Sequence, residues 1–307
     1  MSEIISVIIV SWNTRDMLRE CLTSLFAQPT GVPFVTYVVD NASTDGSAEM
    51  VQVCFPQVVL IRNPENVGFA KANNQVLSQI NTPYALLLNS DTLIPQIDLF
   101  GPWIEFMERN PMCAASGCRL VFPDGSQQVG DAGYKPTLRS IISHALFLSR
   151  IFPTTFKGIF LTGVPGGGKP VEVDWVCGAA LMVRMSAVKQ VGLMDDSFFM
   201  FAEDIEWGCR MREHGFKVFY LPALFIVHYQ GASSKKQKVE KFSGLWLRNV
   251  RKIFERYNPG IPGFWCDFFM GLGLLLRSVI YLILGKKFAS KSKRMFHYFE
   301  ALVLGKD

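Results

Sequence analysis

The chain has 307 residues, of which 49% are hydrophobic and 19% charged, with a formal net charge of +5 and a mean hydropathy of +0.21. This length is enough for one large or two small domains, and the charged share lies below the usual value of about a quarter. The seven cysteines include no CxxC pair, which excludes the common zinc motifs and favours buried, reduced thiols in a reducing cytoplasm.

The net charge conceals an asymmetry along the chain. Residues 1–234 hold 16 basic and 21 acidic side chains, whereas residues 235–307 hold 15 basic and 5 acidic ones. A basic, apolar C-terminal segment favours an anionic membrane surface. It disfavours nucleic acid, because its aromatic residues lie in apolar runs and do not alternate with Lys or Arg. Residues 1–6 lead directly into an apolar run, so we expect no secretory signal.

Strand-like and helix-like patterns alternate up to about residue 110. Apolar runs of strand length cover residues 4–10, 34–39, 58–61 and 84–88, and helical patterns cover residues 15–27, 45–53 and 69–80. This alternation predicts right-handed βαβ units and an α/β fold with a mostly parallel sheet and helices on both faces.

The pattern changes after residue 110. Strands are predicted over residues 113–121, 171–183, 218–221 and 225–227, and a helix over residues 204–213. Residues 130–170 show no regular period. They include GVPGGGK at 163–169, which matches the start of a P-loop. Pro170 then replaces the required Ser or Thr, and a strand follows in place of a helix, so we interpret this segment as a loop.

Residues 259–285 form a long apolar segment that is interrupted by Asp267 and Arg277 and followed by five basic residues. Its most apolar part, residues 271–284, is short of the roughly 20 residues that span a bilayer. We therefore predict a helix that lies in the plane of a membrane. Burial of this helix against the domain, or at a homodimer interface, is the alternative.

Residues capable of catalysis follow four of the apolar runs. Asp40, Asp91 and His228 each follow one run, and Glu203 and Asp204 together follow another. In open α/β sheets, ligands bind outside the carboxyl ends of the strands. Carboxylates and an imidazole at that edge predict a metal-assisted enzyme that handles a phosphorylated ligand.

The loops next to these residues allow two interpretations. Asp40 and Asn41 offer an acceptor and an amide to a nucleobase or ribose, whereas Asp45 fits a helix cap. Gly68 would let a phosphate approach free helix amides, which Lys71 could also meet. The same segment equally fits an ordinary capped helix start.

The segment Asn89-Ser90-Asp91 is similar to a degenerate Asp-x-Asp motif, in which a carboxylate holds Mg²⁺ or Mn²⁺ that bridges a diphosphate. These residue types also favour turns.

The acids at the predicted helix start, Glu203 and Asp204, suit a general base or a charged first turn. His228 could complete the metal shell.

The order of these segments resembles family-2 glycosyltransferases with the Rossmann-like GT-A fold, in the rhamnosyltransferase-like branch of bacterial surface polysaccharide synthesis. The matching segments are VIIVSWN, VVDNASTDGS, NVGFAKANN, LLLNSDT, LVFPDGSQQ, WVCGAALMVR and FFMFAEDIEWGCR, followed by His228. The resemblance implies a GT-A domain at residues 1–235, with a nucleotide-binding half at about 1–110 and an acceptor half at about 111–235. Residues 236–307 would form a basic helical tail on the membrane.

The resemblance also implies an inverting mechanism and roles for particular residues. Asp204 is the expected catalytic base, with Glu203 beside it, and Asp91 and His228 are the expected ligands of Mg²⁺ or Mn²⁺. Asn89 replaces the first Asp of the usual metal motif and removes one negative charge. The expected donor- and acceptor-binding residues are Asn13, Asp40, Asn41, Asn66, Gly68, Lys71, Asn73, Asn89, Ser90, Trp175, Gly178 and Trp207.

The implied donor is dTDP-rhamnose or, next, a UDP-sugar, and the implied acceptor is a lipid-linked saccharide. We expect a peripheral enzyme at the cytoplasmic face of the inner membrane. A nucleotidyltransferase and a catalytically silent, membrane-associated nucleotide-binding scaffold remain as alternatives. An NAD-dependent oxidoreductase is disfavoured, because residues 11–14 (SWNT) contain no glycine-rich turn.

Overall fold

The computed structural model describes residues 3–95, 97–163, 165–229 and 240–304, and within these residues the chain forms two compact units. The first unit contains the described residues within 1–132 and 163–236. The second contains those within 133–162 and 237–307. The predicted division at residue 235 stays a prediction. The division into units also shows that segment 133–162 packs with the C-terminal helices.

The described strands are β1 (Ile5–Ser11), β2 (Phe34–Asp40), β3 (Val59–Arg62), β4 (Tyr84–Asn89), β5 (Thr92–Leu93), β6 (Cys113–Val121), β7 (Ala132–Gly133), β8 (Val171–Val173), β9 (Trp175–Val176), β10 (Ala180–Arg184) and β11 (Lys217–His228). The described helices are α1 (Arg15–Ala27), α2 (Ser47–Cys54), α3 (Phe69–Leu77), α4 (Phe100–Arg109), α5 (Leu138–Ala145), α6 (Leu148–Ile151), α7 (Met185–Val191), α8 (Glu203–Glu213), α9 (Glu240–Tyr257), α10 (Gly263–Ile283) and α11 (Ala289–Leu304). Short 3₁₀ turns cover Pro165–Gly168 and Lys286–Phe288.

The central sheet has the strand order β3-β2-β1-β4-β10-β6-β11-β5, and β8 also pairs with β11. Strands β1 to β4 are parallel to one another, and β10 runs antiparallel to both β4 and β6. Since β6 is parallel to β11, both share the direction of β1. The predicted α/β fold with a mostly parallel sheet is confirmed.

The buried strand β1 shows why strands in the first half of the chain could be predicted from apolar runs in the sequence. Ile5, Val7 and Ile9 belong to one core cluster with Leu18 and other residues of α1. Ile8 points to the other face and is also fully buried. Both faces of β1 are therefore covered, which is typical of a parallel strand that reads as a continuous apolar run.

The register of the sheet brings several strand ends to one edge. Ser11 pairs with Asp40 of β2, and Val10 pairs with Asn89 of β4. Because β10 runs in the opposite direction, it begins where β4 ends. The residues that follow β1, β2 and β4, and those that precede β10, therefore meet at this edge, which is where ligands bind in open α/β sheets.

The single strand predicted over 171–183 is wrong, because the structure has three short strands there, β8, β9 and β10. The chain leaves the extended pattern between β9 and β10. The Cys177 N–H donates to the carbonyl oxygen of Asp131, and the Gly178 N–H donates to a side chain, Asp204. A backbone amide used in this way does not take part in a continuous strand ladder.

The two strands predicted over 218–221 and 225–227 form one strand, β11. The pairing with β6 shifts register between Leu221 and Phe225. Pro222 lies inside this shift and has no N–H to donate, so the strand bulges there and then continues. The break inferred from the sequence is therefore a bulge.

The helix α10 is 21 residues long, so the predicted apolar core of 271–284 underestimated it. By length and composition alone, α10 is able to cross a membrane. Within the second unit, α10 packs against α5 and α11. A Cβ at Gly273 would lie 2.9 Å from Ala145 Cα, and the Ser278 hydroxyl lies 3.2 Å from that of Ser292.

Helix α10 buries its small residues and exposes large apolar ones, which is the reverse of a helix in the core of a water-soluble domain. Its buried residues are small, for example Gly271, Gly273 and Ser278. The Arg277 guanidinium donates to the carbonyl oxygen of His144 at 2.7 Å. Seven of its large apolar side chains are exposed, and these are Phe264, Trp265, Phe268, Val279, Ile280, Leu282 and Ile283. Small and polar residues inside with apolar residues outside is the packing pattern of helices in lipid.

Candidate active site

The loops after β1 and β2 are joined by hydrogen bonds. Asn13 has a φ of 54°, and its Oδ1 accepts the N–H of Thr44 at 2.8 Å. The Asn13 N–H donates to Ser43 Oγ at 2.9 Å, and Asp40 Oδ2 accepts the N–H of Ser43 at 3.0 Å. Asn13 and Asp40 therefore shape this loop, and their predicted contact with the donor stays a prediction.

The carboxylate of Asp40 is only partly used by the protein. Asp40 is buried, and its Oδ1 has no hydrogen-bond partner among the described residues. A buried carboxylate oxygen without a partner is costly, so this oxygen is suited to accept an N–H from a ligand. Asp45 differs, because both of its carboxylate oxygens are already used. Its Oδ1 accepts the N–H of Ser47 at 3.1 Å, and its Oδ2 accepts the N–H of Arg15 at 3.0 Å. The helix cap expected at Asp45 is wrong, because the N-cap of α2 is Gly46.

Gly68 permits a close approach, but to the protein's own backbone. Its φ is 84°, and a Cβ there would lie 2.3 Å from the carbonyl oxygen of Phe199. The Phe69 N–H donates to that same oxygen at 2.9 Å. Asn41 Nδ2 donates to the Gly68 carbonyl oxygen at 3.2 Å, and Asn41 Oδ1 accepts from Asn63. The helix amides that we expected to be free for a phosphate are thus already used at these positions.

The other residues predicted on α3 differ in accessibility. Asn66 Oδ1 accepts the N–H of Gly68 at 3.0 Å, and Lys71 is exposed. Asn73 is fully buried, and its Nδ2 donates to the carbonyl oxygen of Phe69 at 2.9 Å. Asn73 therefore lies behind the surface that Lys71 presents, and its predicted contact with the donor stays a prediction.

Asp91 and His228 lie side by side although 137 positions separate them in the chain. Asp91 Oδ1 is 3.2 Å from His228 Nε2, and both side chains are less than a tenth exposed. Asn89 Nδ2 lies 3.4 Å from the same imidazole nitrogen. The antiparallel pairing of β11 with β5 brings them together. Ser90 is turned elsewhere, with its hydroxyl 2.9 Å from that of Thr14.

Gln128 contacts the other side of His228, and no role was assigned to it from the sequence. Gln128 Oε1 lies 2.9 Å from His228 Nδ1. Gln128 Nε2 donates to the carbonyl oxygens of His228, at 2.5 Å, and of Val121, at 3.5 Å. The segment LVFPDGSQQ contained this residue, but hydrogen bonds across 100 positions cannot be read from a sequence.

The acidic pair at the start of α8 follows strained backbone. Phe201 and Ala202 both have a φ of 69°. Bulky residues rarely adopt this left-handed conformation, and such strain concentrates at functional sites. Asp204 Oδ2 accepts the N–H of Gly178, and Oδ1 accepts the N–H of Ile205, both at 2.8 Å. Glu203 Oε2 is buried without a hydrogen-bond partner among the described residues.

The surroundings of the two acids shift both pKa values upward. Burial raises the pKa of Glu203 well above its usual range, and the adjacent charge of Asp204 raises it further. Burial also raises the pKa of Asp204, while the N–H groups of Gly178 and Ile205 act in the opposite direction. Only Asp204 has backbone N–H groups from both sides that favour its charged form, so of the two acids it is the better placed to serve as the base.

The tryptophans predicted at the acceptor pocket are buried. Trp175 and Trp207 are 2% and 1% exposed. Trp207 Nε1 donates to the carbonyl oxygen of Gly192 at 2.9 Å. At Gly208, a Cβ would lie 2.8 Å from Trp175 Cα, so α8 packs closely on β9. Any effect of the tryptophans on an acceptor would act through the segments that they support, and their predicted contact stays a prediction.

Asn74 and Arg210, which were not singled out from the sequence, form hydrogen bonds to the backbone of the segment that precedes the acidic pair. Asn74 Nδ2 donates to the carbonyl oxygen of Met194, and the Met194 N–H donates to Asn74 Oδ1. The Arg210 guanidinium donates to the carbonyl oxygens of Val191 and Leu193 and forms an ion pair with Glu206 at 3.0 Å. Only the i, i+4 spacing of Glu206 and Arg210 could have been noticed in the sequence.

Comparison with known proteins identifies the family. The model described as "Glycosyl transferase family 2" matches residues 6–160, just over half of the chain. The chain belongs to glycosyl transferase family 2. It is therefore a glycosyltransferase, and the family predicted from the sequence is confirmed.

Curated members of this family that resemble the chain include rhamnosyltransferases. The N-acetylglucosaminyl-diphospho-decaprenol L-rhamnosyltransferase of Mycobacterium tuberculosis is 27% identical over 256 residues, which cover 76% of this chain and 78% of that protein. Rhamnosyltransferase WbbL of Escherichia coli is 26% identical over 235 residues, which cover 73% of this chain and 82% of WbbL.

Solved structures share the GT-A fold with this glycosyltransferase. The mannosyltransferase PcManGT of Pyrobaculum calidifontis, in complex with GDP-Man and Mn²⁺, superposes with a TM-score of 0.62 at 15% identity, covering 100% of this chain and 89% of PcManGT. GalNAc-T7 with UDP, GalNAc and Mn²⁺ superposes with a TM-score of 0.59 at 12% identity, covering 98% of this chain and 56% of GalNAc-T7.

Proposed function

We propose that this enzyme transfers a sugar, with rhamnose as the first candidate, from a nucleotide-diphosphate donor to a hydroxyl of a lipid-linked saccharide in surface polysaccharide synthesis. The observation that carries the proposal is Asp204, a half-buried carboxylate fixed by two backbone N–H groups. The printed name of the mycobacterial relative includes both rhamnose and a decaprenol-linked acceptor, which supports this pair of substrates.

The proposed reaction inverts the anomeric carbon. Asp204 takes the proton of the acceptor hydroxyl as its oxygen attacks that carbon, and the nucleotide diphosphate leaves from the opposite face. Each Asp204 oxygen accepts one N–H, so each retains capacity for a further hydrogen bond. The raised pKa of Asp204 makes it a better base than an ordinary surface carboxylate.

A divalent cation fits the pair formed by Asp91 and His228. Among the residues that the structure describes, no group of three or more His, Cys, Asp and Glu side chains could hold a metal. Asp91 and His228 would supply one oxygen and one nitrogen, and the donor's phosphates and water would supply the rest. When bound, the cation offsets the charge that develops on the departing diphosphate. An imidazole ligand favours Mn²⁺ over Mg²⁺.

The free Oδ1 of Asp40 supports a pyrimidine donor. Thymine and uracil each carry an imide N–H between two carbonyl groups, and a carboxylate oxygen is its natural acceptor. Asp40 Oδ1 is buried and lacks a partner in the described part of the chain. This supports thymidine or uridine diphosphate sugars as donors.

The second unit supports peripheral attachment to an anionic membrane. The apolar face of α10 is exposed, and segment 133–162 holds four basic and no acidic residues. The α11 side chains Lys291, Lys293 and Arg294 are exposed close to Ser292, which bonds to Ser278 of α10. If α10 crossed the bilayer, these charges would be carried into it beside Ser278, so we propose that α10 lies in the plane at the cytoplasmic face.

A cavity of about 430 Å³ in the second unit supports a lipid-linked acceptor. It is lined by Leu138, Arg139, Ile142, Ser143, Leu148 and Phe156. Its volume is within the range of about 300–1,000 Å³ that small-molecule sites occupy. Most of these side chains are apolar, as a lipid chain requires, and Arg139 offers a cation to a phosphate.

Calorimetric titration of the full chain with thymidine and uridine diphosphates and their sugars, with and without Mn²⁺, tests the proposal. We expect one pyrimidine nucleotide to bind, and to bind more tightly with Mn²⁺. Absence of binding by every nucleotide, with and without the metal, would contradict the proposal and favour a catalytically silent scaffold.

A further inference from the structure

The imidazole of His228 has two nitrogens in different surroundings. Nδ1 lies 2.9 Å from Gln128 Oε1, and Nε2 lies 3.2 Å from Asp91 Oδ1. A neutral imidazole carries one hydrogen, so only one of these nitrogens donates and the other keeps a free lone pair. Which nitrogen is free decides whether His228 can bind a cation beside Asp91.

The orientation of the Gln128 amide settles this choice. Gln128 Nε2 faces the carbonyl oxygens of His228 and Val121, which are both acceptors. Turning the amide over would place three oxygens against one another in a buried position, since Gln128 is 2% exposed. The oxygen Oε1 must therefore face Nδ1. An amide oxygen only accepts, so Nδ1 carries the hydrogen.

We propose that Gln128 is a positioning residue that holds His228 in the Nδ1–H form and keeps Nε2 free as a cation ligand. This inference rests on the proposed cation at Asp91 and His228. Outer partners of this kind fix the ring orientation and raise the basicity of a ligating histidine. In this form the lone pair of Nε2 and the carboxylate of Asp91 face each other at 3.2 Å, and Asn89 Nδ2 lies 3.4 Å from Nε2. A cation would bind both Nε2 and the carboxylate in place of the long contact with Asn89.

A purely structural role for Gln128 predicts something else. In that case its function would be to tie the ends of β6 and β11 together through the two carbonyl bonds. The position of the hydrogen on the His228 imidazole would then not depend on Gln128. The hydrogen position on His228 therefore separates the two roles.

Nitrogen NMR of the metal-free full chain, labelled with ¹⁵N in histidine, measures this position at mildly alkaline pH. The chain has four histidines, and the His228→Gln variant assigns the signal of interest. We expect a protonated Nδ1 and a bare Nε2. A hydrogen on Nε2, with or without one on Nδ1, overturns the proposal. This result requires no variant of Gln128 to fold.

Variants of Gln128 test the consequence for the cation, measured by titration with Mn²⁺ alone. Gln128→Leu removes the acceptor, and we expect its affinity to fall on the order of 10–100-fold. Gln128→Glu keeps an acceptor toward Nδ1, and in its protonated form its hydroxyl donates toward the carbonyl oxygens that Gln128 Nε2 faces, so we expect it to stay within about tenfold of the wild type. The matched control is Gln127→Leu, because Gln127 bonds to Asp131 and Tyr220.

The outcomes separate this inference from the function it rests on. Equal Mn²⁺ affinity of the wild type and Gln128→Leu, or loss in Gln128→Glu as large as in Gln128→Leu, overturns the positioning role. A wild type that binds no Mn²⁺ but shows the Nδ1–H form contradicts the proposed cation while leaving the orientation by Gln128 intact.

Discussion

The two units of this glycosyltransferase place polar and apolar residues in opposite ways. The first unit buries the apolar residues of a sheet and gathers carboxylates and an imidazole at its edge. The second unit keeps glycine, serine and Arg277 of α10 inside and exposes phenylalanine and leucine. The first arrangement is that of a soluble enzyme. The second fits a surface whose solvent is lipid.

This difference predicts that catalysis and the proposed membrane attachment are carried by separate parts of the chain. Strained and unpaired groups of the first unit, such as Phe201, Glu203 and Asp40, lie at or beside the candidate site. In the second unit, the noteworthy feature is the exposed face of α10. Changes in one unit should therefore leave the property of the other intact. The first two predictions below test that separation, and the last two test the packing and the burial of the first unit.

The largest effect is expected for Asp204→Asn in the first unit. Without a base, transfer should fall on the order of 10²–10⁴-fold, while donor affinity and recovery with membrane vesicles stay unchanged. Transfer rates, calorimetry and vesicle sedimentation measure the three properties. Asp196→Asn is the matched control, since Asp196 is an exposed acid in the segment just before. Turnover within about tenfold of the wild type would contradict the assignment of the base.

The reciprocal change is Leu282→Lys in the second unit, where Leu282 is 68% exposed. Losing the insertion of one leucine costs about 1.5–3 kcal/mol, or roughly 10–100-fold in vesicle partitioning. Transfer to a soluble acceptor analogue should not change. Val53→Lys is the control, because Val53 is 79% exposed on the first unit. If both variants sediment with anionic vesicles like the wild type, the face of α10 is not the membrane surface.

A smaller effect is expected where α8 packs on β9 within the first unit. A Cβ at Gly208 would lie 2.5 Å from the carbonyl oxygen of Asp174. Gly208→Ala should lower the free energy of unfolding by about 1–3 kcal/mol in urea. At Gly31, a Cβ would meet no atom within 4 Å, so Gly31→Ala should stay within about 0.5 kcal/mol. Equal stability of both variants would show that α8 can move away from β9.

The smallest effect concerns the pH dependence of stability. Because the pKa of Glu203 is raised in the folded state, the folded protein holds this proton to higher pH than the unfolded chain. Stability from this group is therefore lost as pH rises above the unfolded pKa of about 4.3. Glu203→Gln removes this loss, so its advantage in melting temperature should be larger near pH 8 than near pH 5. An advantage that shrinks with rising pH would contradict the raised pKa.

Much of the fold was predictable where the spacing of apolar residues along the sequence decides the secondary structure. Helix α1 begins and ends at the predicted residues, because its buried positions, such as Leu18 and Leu22, follow helical spacing. The predictions were wrong where tertiary contacts override the spacing of apolar residues in the sequence. Gly178 interrupts a strand because its amide holds Asp204, and the bulge at Pro222 joins two predicted strands.

The sequence predicted which edge of the sheet forms the candidate site, but it predicted few of the hydrogen bonds within that site. Polar residues that end apolar runs could be placed at the edge because parallel strands end together, as Asp40 and Asn89 do beside β1. Two contacts could not be predicted, namely the hydrogen bond from the Phe69 amide to Phe199 and the support of His228 by Gln128, since both join residues that are distant in sequence. A resemblance names residues, but hydrogen bonds decide what each one does.

The most direct test of the central claim is the anomeric configuration of the product. Full-length enzyme with Mn²⁺, dTDP-rhamnose or a UDP-sugar, and a polyprenyl-diphosphate-linked saccharide is followed by NMR of the new glycosidic bond. We predict transfer, with a configuration opposite to that of the donor, and its loss in Asp204→Asn. A retained configuration, or no transfer by an enzyme that binds the donor, would contradict the account.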